Sequence, residues 1–158
     1  MIREGKPDDL KAVYDLIMEL AIYEKAPEEV ENSVERMLED GFGPNPVYGL
    51  FVAEDNEQVV GTAIYYYRYS TWKGKAMYLE DLVVSEKHRG KGYGKKLLDA
   101  IVRKANETNC KQVRWQVLDW NTPAINFYKS LDGISCQGFF LFSPVTFSTE
   151  SHLKSGII

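Results

Sequence analysis

Residues 77–94 read Met-Tyr-Leu-Glu-Asp-Leu-Val-Val-Ser-Glu-Lys-His-Arg-Gly-Lys-Gly-Tyr-Gly, an apolar strand that runs into a basic turn with a glycine at every second position. Behind that turn Leu97, Leu98, Ile101, Val102 and Ala105 recur at helical spacing, and 112–118 returns to a strand pattern. A strand, a helix and a second strand in this order are joined by a right-handed parallel crossover, so the chain is read as an α/β domain built around the 92–109 helix. Glycines at 90, 92 and 94 carry no Cβ to hold a ligand off the backbone and admit positive φ. The unpaired N–H groups of such a loop and of the first helical turn attract anions, and Arg89 and Lys91 add charge. The segment reads as a pyrophosphate cradle.

Two common phosphate loops are excluded. A Walker loop requires Gly-x-x-x-x-Gly-Lys followed by Ser or Thr; Arg89 stands in place of the first glycine, and Lys96 where the hydroxyl would hold magnesium. A dinucleotide fingerprint requires G-x-G-x-x-G after a first strand and an acidic residue about 20 positions on, and Gly90-x-Gly92-x-Gly94 has neither spacing nor context.

On either side of this unit the chain alternates helix and strand signals. Leu10, Val13, Leu16, Ile17, Leu20 and Ala21 form one helical stripe after Pro7. Asn32 and Glu35 are spaced as a capping box before a short helix that ends at Gly41. Strands are expected at 47–54 and 58–69, joined by a hairpin at 55–57, and at 76–85, the most apolar of the set and so a central one. Asn121-Thr-Pro123 opens a last helix through Ser130. At 158 residues one domain is expected. The apolar content of 44% and charged content of 27% are those of a soluble globule. No apolar run reaches the ~20 residues that cross a bilayer, and the N-terminus has no apolar signal region. Cys110 and Cys136 form no Cys-x-x-Cys and have only His88 and His152 to join them, so no metal site or disulfide framework is expected. A reducing, cytoplasmic setting fits. The net charge of −4 argues against a nucleic-acid protein and suits a cationic small molecule.

The Arg89-x-x-Gly92-x-Gly94 turn, preceded by Tyr78-Leu-Glu-Asp81 and followed by a helix, resembles the coenzyme A loop of the GNAT acetyltransferase superfamily. Tyr23-Glu24, Asp40-Gly-Phe-Gly43, Ser70-Thr-Trp-Lys-Gly74, Leu118-Asp-Trp-Asn121 and Asn126-Phe-Tyr-Lys129 extend the likeness over residues 2 to 131, within the superfamily's spermidine/spermine N-acetyltransferase family. Ser-Thr-Trp-Lys-Gly and Leu-Asp-Trp-Asn look closer to its thialysine branch. The resemblance implies the GNAT fold, a central mixed β-sheet flanked by helices, with acetyl-CoA as cosubstrate, a small amine as acceptor, direct transfer in a ternary complex, and a homodimer. On the matching positions it implies cofactor binding by Leu82, Val83, Val84, Arg89, Gly90, Lys91, Gly92, Tyr93, Gly94, Lys95, Asn121 and Asn126. Each asparagine is otherwise a helix cap or a surface amide.

The same carry-over makes Glu80 the base or water relay, Tyr128 the acid that protonates the leaving thiolate, and Tyr23, Glu24, Asp81 and Trp72 the amine-binding side chains. Chemistry is consistent with those residue types. An amine of pKa ~10.4 is about one part in a thousand neutral near pH 7.4, so its proton must be managed. A carboxylate serves if burial raises its pKa, if it acts through water, or if it holds the cation. Adjacent strand residues point to opposite faces, so Glu80 and Asp81 share a pocket only across a bulge, which the family has. Trp72 stacks on an amine stem in this reading and is otherwise an exposed turn aromatic. The spermidine/spermine enzymes carry an Asp where Ser70 stands, a change that favours a shorter diamine or a lysine-like amine.

From Asp132 the likeness ends, and the C-terminus is atypical. The acetyltransferase domain is expected over 1–142, with 139–142 as one further strand and 143–158 as a divergent tail. Two other functions stay open: acetylation of a protein or peptide amine, and a non-catalytic acetyl-CoA-binding module.

Overall fold

Each strand of the first half finds its neighbour through a tight turn. The computed structural model describes residues 1–131 and the backbone of 139–145. β2 (Gly49–Asp55) and β3 (Gln58–Ser70) are joined at Asn56 and Glu57, with φ of 48° and 62°, the pair of positive values that matches hairpin twist. β3 continues through the turn at 71–73 into β4 (Gly74–Val84), and β1 (Ile2–Glu4) adds antiparallel to β2. β5 (Gln112–Leu118) joins β4 in parallel and β6 (Phe139–Val145) joins β5 in parallel, so the six strands lie in chain order. The expected strand at 139–142 is therefore present and longer. The rest of the expected tail, 146–158, lies outside the described residues.

Helices cover both faces. α1 (Leu10–Tyr23) and α2 (Val34–Phe42) bury Leu10, Val13 and Met37 against Leu50, Val52 and Ile64. α3 (Tyr93–Glu107) is the crossover helix, and it sets Leu97, Leu98 and Ile101 against Phe51, Ala53 and Met77 on the other face. The alternation of Leu50, Phe51, Val52 and Ala53 between two cores is the period-2 signature of a strand buried on both sides. All five residues of the expected α3 stripe are buried, Val102 least at 7% exposed. α4 (Thr122–Lys129) packs Phe127 and Tyr128 against the α3-side core.

Two local readings change. Ser33, not Asn32, caps α2: its Oγ accepts from the Arg36 N–H at 3.2 Å, while Asn32 Oδ1 accepts from the Ser33 N–H. β1 has no counterpart in the sequence reading, because three residues hold no measurable alternation. Its Arg3 ties the edge together, donating to Asp9 at 2.7 Å and to Glu54 at 2.9 Å, and the Asp9 carboxyl is held low chiefly by that contact.

Candidate active site

Opposite Ile64 and Tyr65 the register on β4 moves from Asp81 to Leu79. Glu80 is therefore an extra residue, and the strand bulges there. This is the bulge that a shared pocket for Glu80 and Asp81 requires, and both line one cleft. The cleft exists because β4 and β5 part. Their ladder consists of Met77–Val113 and Tyr78–Arg114, and beyond it the facing edges of β4 and β5 become cleft walls through Leu79, Leu82, Trp115 and Val117. α1 reaches the split from one face with Glu24, and α4 from the other with Tyr128.

Three carboxylates thus line one cleft with the phenols of Tyr78 and Tyr128. Burial, then the charges of Glu80 and Glu24, push Asp81 up to about 7. Burial also raises Glu80 and Glu24. Asp81 is half-buried, whereas Glu80 is exposed at the mouth. Burial and then the Asp81 charge lift Tyr128 well above the ordinary phenol range, so it is protonated at neutral pH. Its ring is held against Trp115 and Phe127, at centroid distances of 5.1 and 5.2 Å. Tyr78, on the cleft wall, is pushed up to about 12 by burial and by Glu80.

A second groove adjoins this cleft and shares Leu20, Leu82, Asn121, Ala124 and Tyr128 with it. Val83 and Val84 supply one wall; Arg89, Gly90, Gly92, Tyr93, Gly94 and Lys95 supply the end. Gly90 and Gly92 have φ of 75° and 82°, and a Cβ on either would meet nothing within 4 Å. The loop therefore presents bare backbone to open space, and Gly92 caps α3. Arg89 is already oriented: its Nε donates to the Val84 carbonyl at 3.0 Å, and its guanidinium lies 4.0 Å from Glu19. Arrangement and charge suit an elongated anionic ligand whose reactive end reaches Tyr128.

Not every expected site residue converges. Lys91 is exposed and lies 4.0 Å from Asp55. Asn126 is exposed on α4 and lines neither space, whereas Asn121 lines both and also caps α4 through Ala124 N–H. Trp72, 91% exposed, stands at the β3–β4 tip away from the cleft, and Ser70 there accepts from the Lys73 N–H at 3.2 Å. Tyr23 lines the groove; its neighbour Glu24 lines the cleft. The sequence reading missed Trp115, Leu20 and His88, which line these spaces. Trp115 enters the cleft where β4 and β5 separate, a point that no local pattern marks.

Comparison with known proteins agrees with this geometry. The model of the Acetyltransferase (GNAT) family matches residues 10–132. Thialysine N-epsilon-acetyltransferase of Bos taurus is 43% identical over 153 residues, covering 90% of this chain and 90% of that protein. Spermidine/spermine N(1)-acetyltransferase-like protein 1 of Homo sapiens is 36% identical over 151 residues, covering 89% of this chain and 22% of that protein. The BH1408 protein of Bacillus halodurans superimposes with a TM-score of 0.70 at 24% identity, covering 92% of this chain and 99% of its own, a likeness of fold. With a split parallel pair, a bulged acidic strand and a glycine-spaced basic loop at the start of the crossover helix, the chain belongs to the GNAT family of acetyltransferases.

Proposed function

We propose that the chain moves the acetyl group of acetyl-CoA to a primary amine of a small cationic molecule, a diamine, polyamine or thialysine- or lysine-like compound, directly and within a ternary complex. The carrying observation is that Glu24, Glu80 and Asp81 converge with Tyr128 in a cleft continuous with the basic groove. The relatives named for thialysine and for spermidine/spermine support the same acceptor class.

When bound, acetyl-CoA supplies the acetyl thioester and a thiolate leaving group. The backbone at Gly90 and Gly92, with Arg89 and Lys95, would hold its phosphates; Leu82, Val83, Val84 and Asn121 line the groove that leads to the cleft. Asp81 and Glu24 hold the ammonium, and its arrival draws the Asp81 pKa down from about 7. Glu80, at the solvent mouth, takes the amine proton and passes it to water. Tyr128 would donate its phenolic proton to the departing sulfur, and the second proton that the amine nitrogen loses as the amide forms would restore the phenol.

Tyr128→Phe is expected to keep acetyl-CoA binding while lowering turnover by ~10²-fold or more. A thiol-release assay over spermidine, putrescine, lysine and thialysine, alongside calorimetry with acetyl-CoA, checks both parts. Full turnover would remove Tyr128 from the acid role, and activity confined to peptides would replace the small-amine reading. The homodimer and the cytoplasmic setting belong to the same proposal, and sedimentation tests the first. Among the described residues no helix is long and apolar enough to cross a membrane.

A further inference from the structure

Tyr23 occupies a junction that binding of an amine does not explain. Its hydroxyl lies 3.3 Å from Asn121 Oδ1, an atom that also accepts from the Ala124 N–H at 3.2 Å and so caps α4. Its ring lies 5.8 Å from that of Trp120, the residue before that cap, and 5.6 Å from the Arg89 guanidinium. One side chain thus touches the segment that starts α4 and the loop that starts α3, at the groove both of them line. It is the last residue of α1, directly before Glu24. The carboxylate wall of the cleft is therefore one peptide bond from a strut to the helix that carries Tyr128.

We infer that Tyr23 is a positioning residue for the transfer step: it braces the N-cap of α4 against the Arg89 loop and so fixes where the Tyr128 phenol stands. Asn121 fits the same account. Its Oδ1 accepts both from the Ala124 N–H and from the Tyr23 hydroxyl. α4 spans only Thr122–Lys129 and buries none of its residues fully, so it depends on its cap and on side contacts for its placement. A short helix with that anchoring shifts when one brace is removed, and a displacement well under 1 Å at a reacting group already lowers the rate.

This inference rests on the acid role of Tyr128, and a double-mutant cycle separates the two. Tyr23→Phe keeps the ring and removes the hydroxyl. Its expected effect is a five- to tenfold loss of kcat, in line with one hydrogen bond, with the KM for the amine and the affinity for acetyl-CoA changed less than twofold. In a Tyr128→Phe background the same change is expected to cost nothing further, because the group it positions is gone. Tryptophan emission is expected to shift in Tyr23→Phe and to lose that shift when Trp120→Phe is added, which assigns it to Trp120 among the three tryptophans, and circular dichroism is expected to show an unchanged fold. A rise in amine KM with kcat intact would overturn the inference and return Tyr23 to substrate contact. A kcat loss that persists in the Tyr128→Phe background would overturn it as well while leaving the acid role standing. Full turnover by Tyr128→Phe alone would overturn both.

Discussion

In the proposed transfer Asp81 carries a conflict between stability and function. Its carboxyl sits near 7 because burial, Glu80 and Glu24 oppose its charge. The folded chain therefore binds that proton more tightly than the unfolded one, for which ~3.9 is usual. This contribution to stability is whole below about 4 and is lost as pH rises through about 7. Asp81→Asn removes the conflict and is expected to stabilise the fold by about 1–2 kcal/mol at pH 8 but not at pH 4, which urea titrations at the two values would show. Function runs the other way. Below pH 7 the neutral acid no longer attracts an ammonium, so the amine KM is expected to climb as pH falls. Glu80→Gln removes the second of the three influences, and the break should move to lower pH. A break that stays in place in that variant would mean burial and Glu24 account for it unaided.

At the scale of single elements, α3 and its loop were the most legible part of the chain. The glycine spacing, the cationic turn and the buried stripe all describe the same unit, and each is local. Gly92→Ala tests the turn: a residue with a Cβ at φ of 82° costs about 1–2 kcal/mol, and acetyl-CoA affinity should fall while the amine KM holds. Leu98, fully buried, reports packing alone; Leu98→Ala should cost about 2–5 kcal/mol with both Michaelis constants intact in the folded fraction. Where the sequence misled, nonlocal geometry decides. Glu80 and Asp81 were readable as a pair, but their common pocket depends on a register shift set by β3. Trp72 had the residue type for a cation-binding wall, yet the length of the β3–β4 hairpin carries it beyond the cleft. Tyr23 and Glu24 read as one corner, and α1 ends so that they face different spaces. Asn121 and Asn126 looked equivalent until the cap of α4 distinguished them.

Taken whole, the molecule is two sheet portions joined by a two-position ladder. β1 to β4 form one antiparallel portion with α1, α2 and α3 packed on it, and β5 and β6 form the other. Between them lies the split that both proposed ligands enter. A cofactor held by the α3 loop and the β4 edge, with its reactive end beside α4, would bridge the portions and close an opening that protein hydrogen bonds leave. Acetyl-CoA at 100 times its Kd stabilises a native state that alone binds it by ~2.7 kcal/mol, which for a chain of this size raises Tm by roughly 5–10 °C. Location discriminates better than magnitude. Hydrogen exchange is expected to slow at 79–84 and 115–118, on the two sides of the split, and at 90–95, while the β2–β3 hairpin is unchanged. Protection confined to the loop would mean that the ligand stops at the groove. The carboxylates and Tyr128 would then be out of its reach, and direct transfer in this cleft would fail with them.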